Sequence, residues 1–498
     1  MSPRYVAHRG AHSASAPENT LAAIRAAVEL GADIVEIDVR VTRDGEVVLL
    51  HDETLERIWG DPRRVAELTL AEVREFGGGA RRIPTLAEAL AALRGVGVPL
   101  LIDMDHEDPA LPSVAVVRGA GAENDVEWCG ATPAMRLVRA AMPEAVIHQA
   151  WYTAVPPSPA ELAELAPAFV NAQHLLVGPA FLDAVHAAGA RAACWTVDDP
   201  AQAAHLAALG VDSLTSNDLA SVRGAVADEP ARRLSIVEEL AGHAAEIVAR
   251  ARREGVGTVD TKTSPADHVT EVDRGVERWV RAVIGAQFPE HDMVGEEYGG
   301  ASSEGRPCWY LDPVDGTANL ANGVPWTSFS LALVDDGRPV VGAVLDPIGG
   351  VPIVAAEGRG AWRAGERLAI ADAAGADPLS GRIVTTELAG ADPWPGFVPL
   401  LEELAARHCT TRVPGSGTAT LAGVALGRGV AAMVHRYNPI DHAAAILVVA
   451  EAGGAVLDDT GSATLRPSAA PVFTGAVAAA AALVDAYAAT RPSASRIV

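Results

Sequence analysis

The stretch Trp309-Tyr310-Leu311-Asp312-Pro313-Val314-Asp315-Gly316-Thr317-Ala318-Asn319 decides how the chain is read, because an apolar run breaks there into two carboxylates set in a turn. The run ends at Leu311, so Asp312 is expected to leave the end of a strand. Pro313 has a fixed φ and Gly316 permits a sharp bend, which lets Asp312 and Asp315 point to one side. Gly316 and Thr317 then open a helix with free amides, a ready site for an anion. Carboxylates for a hard cation beside amides for a phosphate point to metal-assisted phosphate-ester hydrolysis. Taken alone, the same residues also make an ordinary Asp-Pro turn with an aspartate N-cap, so the neighbouring segments decide.

Upstream, Leu234 to about Glu254 carries apolar residues at helical spacing, among them Leu234, Val237, Leu240 and Ile247. A polar hairpin follows over 260–273 and contains Lys262, the single lysine among 39 basic residues. A helix over 274–287 and a strand ending in the carboxylate pair Glu296-Glu297 lead into the quoted stretch. Downstream come strands at 328–334 and 340–345, then Arg412-Val413-Pro414-Gly415-Ser416-Gly417-Thr418-Ala419 entering a helix. Asn438-Pro439-Ile440-Asp441-His442-Ala443-Ala444 opens another helix, which stops at Gly453-Gly454.

Taken together, the segments between 258 and 460 resemble the inositol monophosphatase family. The resemblance implies a layered αβαβα sandwich and a Mg²⁺-dependent phosphomonoesterase holding two or three ions. It implies Glu296, Asp312, Asp315, Asp441 and the Val314 carbonyl as metal ligands, with Thr317 orienting a water. Gly316 and Thr317 would contact phosphate, and Gly417, Thr418 and Ala419 the substrate. Lys262 falls where the family places a lysine beside the metal site. Two departures concern substrate: Ile440 stands in place of the family's tryptophan, and Val434 where inositol-selective members carry a glutamate. Histidinol phosphate or another small monoester therefore stands beside inositol phosphate as a candidate.

The first half alternates strand and helix, with polar residues at strand C-termini. Tyr5-Val6-Ala7 runs into His8-Arg9-Gly10, and Pro17-Glu18-Asn19-Thr20 caps an alanine-rich helix over 20–30. In Ile34-Val35-Glu36-Ile37-Asp38-Val39 the two acids lie two residues apart and so share a face. His51 ends the next strand. Pro99 to Asp105 places Asp103 and Asp105 on one face, after a helix over 85–94. Strands at 190–196 and 211–215 flank a helix over 200–209. This is the pattern of a (β/α)₈ barrel, whose active sites lie at the strand C-termini.

The motifs His8-Arg9-Gly10, Pro17 to Thr20, Gly31 to Val39, Thr42-Arg43-Asp44-Gly45, His51-Asp52, Ile83-Pro84-Thr85-Leu86 and Trp195-Thr196-Val197 resemble the glycerophosphodiester phosphodiesterase family. The resemblance implies His8 and His51 as acid and base, and Arg9 on the phosphate. It also implies Glu36, Asp38 and Asp103 on a divalent Mg²⁺ or Ca²⁺, and Trp195 at the substrate. The family usually has Glu at the position of Asp103 and Lys at that of Asp105. The second departure leaves open a barrel that binds phosphodiesters without cleaving them.

The whole is therefore expected to be α/β: a TIM barrel over 1–222, a linker over 223–233 rich in Gly, Pro and charge, and a phosphatase sandwich over 234–498. A formal charge of −25 opposes binding to nucleic acid or anionic membrane, so the expected partners are small phosphodiesters and phosphomonoesters. No apolar run is long enough to span a bilayer, and the start lacks a signal-peptide pattern. A cytoplasmic protein is expected, with a possible homodimer through the second half. The four cysteines are widely spaced and form no CxxC, which indicates neither a zinc cluster nor a disulfide framework.

Overall fold

The computed structural model describes residues 2–261, 268–373, 375–388 and 393–490. The chain divides into two compact units, Met1–Arg232 and Arg233–Val498. The division falls in the first turn of the helix Glu229–Glu254, so the last residues of the expected linker are helical. Asp228 accounts for the earlier start: its carboxylate accepts from the Ala231 amide at 3.1 Å, and Pro230 sits in the first turn, where its missing N–H costs nothing.

In the first unit eight parallel strands form a ring: β1 (Arg4–Ala7), β2 (Ile34–Val41), β3 (Leu100–Met104), β4 (Val126–Gly130), β5 (Ile147–Trp151), β6 (Phe169–Gln173), β7 (Arg191–Trp195) and β8 (Ser213–Ser216). β1 pairs with both β2 and β8, which closes the barrel and leaves no free edge in the ring. Helices follow the strands and start at side-chain caps, for example Thr20 onto the Ala23 amide and Asp199 onto the Gln202 amide. Strand residues alternate between two cores. Val35, Ile37 and Val39 pack under the helices, whereas Ile34 joins Val6, Leu101 and Cys129 in a separate small cluster. Glu36 and Asp38 are in phase with Ile34, so they point into the barrel toward the C-terminal mouth. Register does the rest: Asp38 is the direct neighbour of Asp103, and Asp103 of Cys129.

The second unit stacks five layers. An eight-stranded, mostly antiparallel sheet contains β9 (Asp292–Gly295), β10 (Cys308–Asp315) and β11 (Ser328–Asp335). The helix Glu271–Gln287 packs against β10. Between this sheet and a five-stranded one lie the helices Gly417–Ala422 and Pro439–Glu451, in one core that draws Ala332 and Val344 from the first sheet and Ala432 and Val472 from the second. The far face of the second sheet is covered by Phe397–Ala406 and Val477–Thr490 around Phe473 and Leu400.

The quoted stretch differs from its expected form in one respect. β10 does not stop at Leu311 but continues to Asp315, and between Asp312 and Asp315 it takes three steps while its partner takes two, from Ser330 to Ser328. This is a bulge in a paired strand. It is placed where Pro313 cannot donate to the ladder and where the bend turns both carboxylates the same way.

Candidate active sites

At the mouth of the barrel, a cavity of about 340 Å³ is lined by His8, Arg9, Glu36, His51, Asp103, Asp105, Cys129, Tyr152 and Trp195, among others. Glu36, Asp38 and Asp103 offer oxygens that all lie within 4.8 Å of one another. Burial pushes the Glu36 carboxyl well up, and Asp38 and Asp103 add to it; burial and Asp38 raise Asp103 to about 6. Three acids this close could hold a hard divalent cation. The surroundings fix them. Asn19 donates to Asp38 Oδ2 at 2.7 Å and accepts from its amide at 3.0 Å, and the Arg9 amide donates to Glu36 Oε2 at 2.7 Å. Arg9 adopts φ +58°, an uncommon conformation for a side chain of that size, and its Nε lies 3.2 Å from Asp38 Oδ2.

The two histidines are held by different partners. His8 Nδ1 is 2.7 Å from Asn217 Oδ1, and His51 Nδ1 is 2.7 Å from Asp52 Oδ1, so each leaves Nε2 as the atom able to exchange a proton. Burial and the neighbouring Arg9 hold His8 below its ordinary pKa, which keeps it neutral and able to accept. Trp195 and Tyr152 meet edge to face, with ring centroids 6.2 Å apart. Tyr152, Cys129, Asn217 and Asn19 were not legible as site residues in the sequence. Only the Pro-Glu-Asn-Thr turn carried a signal, and it read as a helix cap.

In the second unit the structure brings Asp312, Asp315, Glu296 and Asp441 together. Burial drives Asp312 well above the carboxylate range, and Glu296, Asp315 and Asp441 reinforce the shift. Asp315 Oδ2 accepts from Ser416 Oγ at 2.8 Å and from the Thr418 amide at 2.6 Å. Asp441 Oδ2 accepts from Asn438 at 3.0 Å, and its carbonyl from Thr418 Oγ1 at 2.7 Å. Glu296 rides on a turn clamped by the buried carboxylate of Glu277, which accepts from the amides of Glu297 and Tyr298 at 2.8 and 3.1 Å.

Thr317 Oγ1 lies 2.9 Å from both Asp273 Oδ1 and the Val314 carbonyl. Asp273 is fully buried, and in the sequence it reads only as part of a helix start. The expected helix after Gly316 is only Thr317–Ala321, with Gly316 at φ +90°. Any anion there meets individual amides rather than a long helix dipole. In the segment expected to touch substrate, the Thr418 amide is committed to Asp315, and the Ala419 amide donates to Ser416 Oγ at 3.1 Å. Gly417 is where the chain passes His442: a Cβ there would lie 2.3 Å from its Nε2. Lys262 lies outside the described residues.

Residues 229–495, more than half the chain, match the Inositol monophosphatase family. The chain belongs to this family. In front of the inositol monophosphatase domain, residues 8–221 match the Glycerophosphoryl diester phosphodiesterase family, so the chain is a fusion of the two. The domain is 34% identical over 206 residues to a Thermotoga maritima fructose-1,6-bisphosphatase/inositol-1-monophosphatase, covering 41% of this chain and 77% of the relative. It is also 34% identical over 234 residues to the Nus factor SuhB of Pseudomonas aeruginosa, covering 46% of this chain and 86% of that protein. Among solved structures, a Thermotoga maritima IMPase shares 29% identity at a TM-score of 0.47 over 52% of this chain and 98% of its own. An Oleispira antarctica phosphodiesterase in complex with the product sn-glycerol-3-phosphate shares 26% at 0.42 over 45% and 96%.

Both halves of this inositol monophosphatase family member thus belong to phosphoric ester hydrolase families, one of diesterases and one of monoesterases. No helix among the described residues is long and apolar enough to cross a membrane.

Proposed function

We propose that the chain is a bifunctional phosphoesterase, with a barrel that cleaves glycerophosphodiesters to a phosphomonoester and an alcohol, and a C-terminal domain that hydrolyses small phosphomonoesters. The observation that carries this reading is that each unit gathers buried carboxylates from separate segments and sets proton-handling groups beside them. The donors are all oxygens, which suits Mg²⁺ or Ca²⁺ in the barrel and Mg²⁺ in the phosphatase. Glu36, Asp38 and Asp103 would hold the first; Glu296, Asp312, Asp315, Asp441 and the Val314 carbonyl the second. When bound, such an ion polarises the phosphoryl oxygens and stabilises charge on the leaving oxygen.

In the barrel, Arg9 orients the phosphodiester through its guanidinium. Neutral His8 accepts the proton of the glycerol hydroxyl next to the phosphate as that oxygen attacks phosphorus, while His51 gives a proton to the departing alkoxide as the old P–O bond breaks, which leaves a cyclic phosphate. The roles then reverse: His51 takes a proton from the attacking water and His8 returns one to the ring oxygen as its P–O bond breaks, which gives the phosphomonoester. Asp105, whose identity motivates a non-catalytic barrel, does not leave an uncompensated anion in the pocket, because Arg40 pairs with it. In the phosphatase, Thr317 donates to Asp273, which leaves its oxygen lone pairs to accept from the attacking water and aim it in line with the leaving group. The Gly316 and Thr317 amides face the phosphate, and Gly417, Thr418 and Ala419 border the alcohol. Val434 offers no acceptor for a sugar hydroxyl, so inositol phosphate is one of several small monoesters that fit.

The test uses the full chain with glycerophosphocholine, glycerophosphoinositol, inositol phosphate and histidinol phosphate, each with Mg²⁺, Mn²⁺, Ca²⁺ or EDTA. Diester turnover lost in His51→Ala and monoester turnover lost in Asp441→Asn support the assignment. Diester binding without turnover by the unaltered chain would reduce the barrel to a binding module.

A further inference from the structure

At the barrel mouth Arg9 follows β1, Glu36 and Asp38 lie on β2, and His51 stands on the segment beyond it. A continuous line of charge-paired groups joins them. His51 Nδ1 is 2.7 Å from Asp52 Oδ1, and Asp52 Oδ2 accepts from Arg57 Nε at 2.6 Å. Arg57 donates through Nη1 and Nη2 to Glu18 Oε2 and Oε1 at 3.0 and 2.7 Å. Glu18 Oε1 also accepts from Arg9 Nη1 at 3.1 Å, and Arg9 Nε reaches Asp38.

Neither Glu18 nor Arg57 lines the cavity. Glu18 is nevertheless only 11% exposed, a costly place for a carboxylate unless it is well paired. Its partners are two arginines, one gripping it with two parallel bonds, a geometry that fixes distance and angle together. Burial is the largest influence on Glu18 and Asp52 and pushes both up, but the hydrogen bonds and charges of Arg57, joined by Arg9 at Glu18 and His51 at Asp52, together hold both below the ordinary carboxylate range.

We infer that Glu18 and Arg57 are positioning residues that set the separation and the charge balance between His51 and Arg9. Around His51 stand Asp52 at Nδ1, Arg57 behind Asp52, and Arg40 at the His51 carbonyl, itself paired with Asp105; across the shared cavity lie His8, Arg9, Glu36 and Asp103, which neither variant alters. The adjacent Glu53 is occupied by Arg64 and His106. Charge alternates along the line, so perturbing its two middle members shifts His51 in opposite directions. Removing Arg57 exposes His51 to the full charge of Asp52. Removing the charge of Glu18 leaves the Arg57 cation acting on Asp52 alone.

The kinetic part of the test rests on the diesterase reading, and the spectroscopic part does not. The His51 imidazole is titrated by ¹⁵N NMR in the full chain, its signal assigned by loss in His51→Gln. Arg57→Met raises the midpoint and Glu18→Gln lowers it, each on the order of 0.5 to 1 pH unit. With glycerophosphocholine, both variants lose roughly 10- to 100-fold in kcat with little change in KM. Arg57→Lys keeps the cation but not the paired grip, and so restores the midpoint more than kcat. If Arg57→Met proves unstable by its thermal midpoint, the nearly isosteric Glu18→Gln carries the test alone. Midpoints that stay put, or move the same way, overturn the inference whether or not the barrel is active. Midpoints that move as stated in a chain that cleaves no diester uphold the network and overturn the diesterase reading.

Discussion

The carboxylate of Asp105 and the guanidinium of Arg40 form a bidentate ion pair, with Nη2 2.6 Å from Oδ2, and Nε of the same guanidinium donates to the His51 carbonyl at 3.0 Å. The acid in place of a lysine is therefore one end of a brace on the segment that carries His51. Asp105→Lys sets an ammonium against Arg40 and is expected to lower diester turnover. Adding Arg40→Gln removes the clash and restores part of it. Because Asp105 is half exposed, the coupling is expected to be modest, about 1 kcal/mol. Additive losses in this double-mutant cycle would contradict the brace.

The carboxylate clusters make metal-free stability depend on pH. Glu36, Asp103, Asp312 and Asp315 all hold protons more tightly when folded than unfolded. Between the ordinary carboxylate range and these raised values the folded chain carries more protons, so stability is fullest at the acid end and falls as pH rises through about 6, the value for Asp103. In EDTA the thermal midpoints should drop over that window, and Mg²⁺ at pH 7 should restore them. Midpoints that rise with pH in EDTA would refute the linkage.

Asp312→Asn should leave the fold intact and reduce monoester turnover by roughly 100- to 1,000-fold. Asp273→Asn, which touches Thr317 and not the proposed ligands, should cost less, about 10- to 100-fold. The two are compared by turnover together with Mg²⁺ titration: Asp312→Asn weakens Mg²⁺ binding, whereas Asp273→Asn leaves it nearly unchanged. Equal effects on Mg²⁺ would place Asp273 among the ligands.

Gly417→Ala puts a methyl group 2.3 Å from a ring nitrogen of His442, whose imidazole burial depresses to about 3 and which accepts from the Asn438 amide at 2.9 Å. The ring cannot yield without moving the turn that carries Asp441. A loss of roughly 1 to 3 kcal/mol is expected, measured by denaturant unfolding, together with lower phosphatase activity.

Proteolysis should cut within 223–228 and spare the helix from Glu229 onward. If the two activities act in sequence, glycerophosphoinositol should yield inorganic phosphate from the intact chain. Equal rates from a mixture of separated halves at micromolar concentration would exclude any benefit from tethering.

What the sequence made legible was whatever lay in short contiguous motifs. Glu36 and Asp38 announce themselves by a two-residue spacing, and Asp312 and Asp315 by a Pro-Gly turn. Their supporting residues could not be found that way. Asn19 meets Asp38, Asn217 meets His8, and Ser416 meets Asp315 only through the closed fold, across 19, 209 and 101 positions. The bulge in β10 was missed because a proline after an apolar run reads as a strand end, and only the partner strand shows that pairing resumes. The early start of the helix at Glu229 was missed for the converse reason: Asp228-Glu229-Pro230 has the composition of a linker and the chemistry of a cap.

The pairing of β1 with β8 has a consequence for how the protein is made. The first strand cannot find its last neighbour until Ser216 has left the ribosome, so the barrel stays open, with one edge of β1 unpaired, until its last strand has been made. Once that strand emerges the ring closes while most of the phosphatase domain, which follows it in the chain, remains to be translated, a wait on the order of tens of seconds. The phosphatase is then born beside a finished domain that offers no strand edge in its ring to mispair with its own sheets. A truncation that stops before β8 should aggregate, whereas one that stops at about residue 228 should fold as its codons are read.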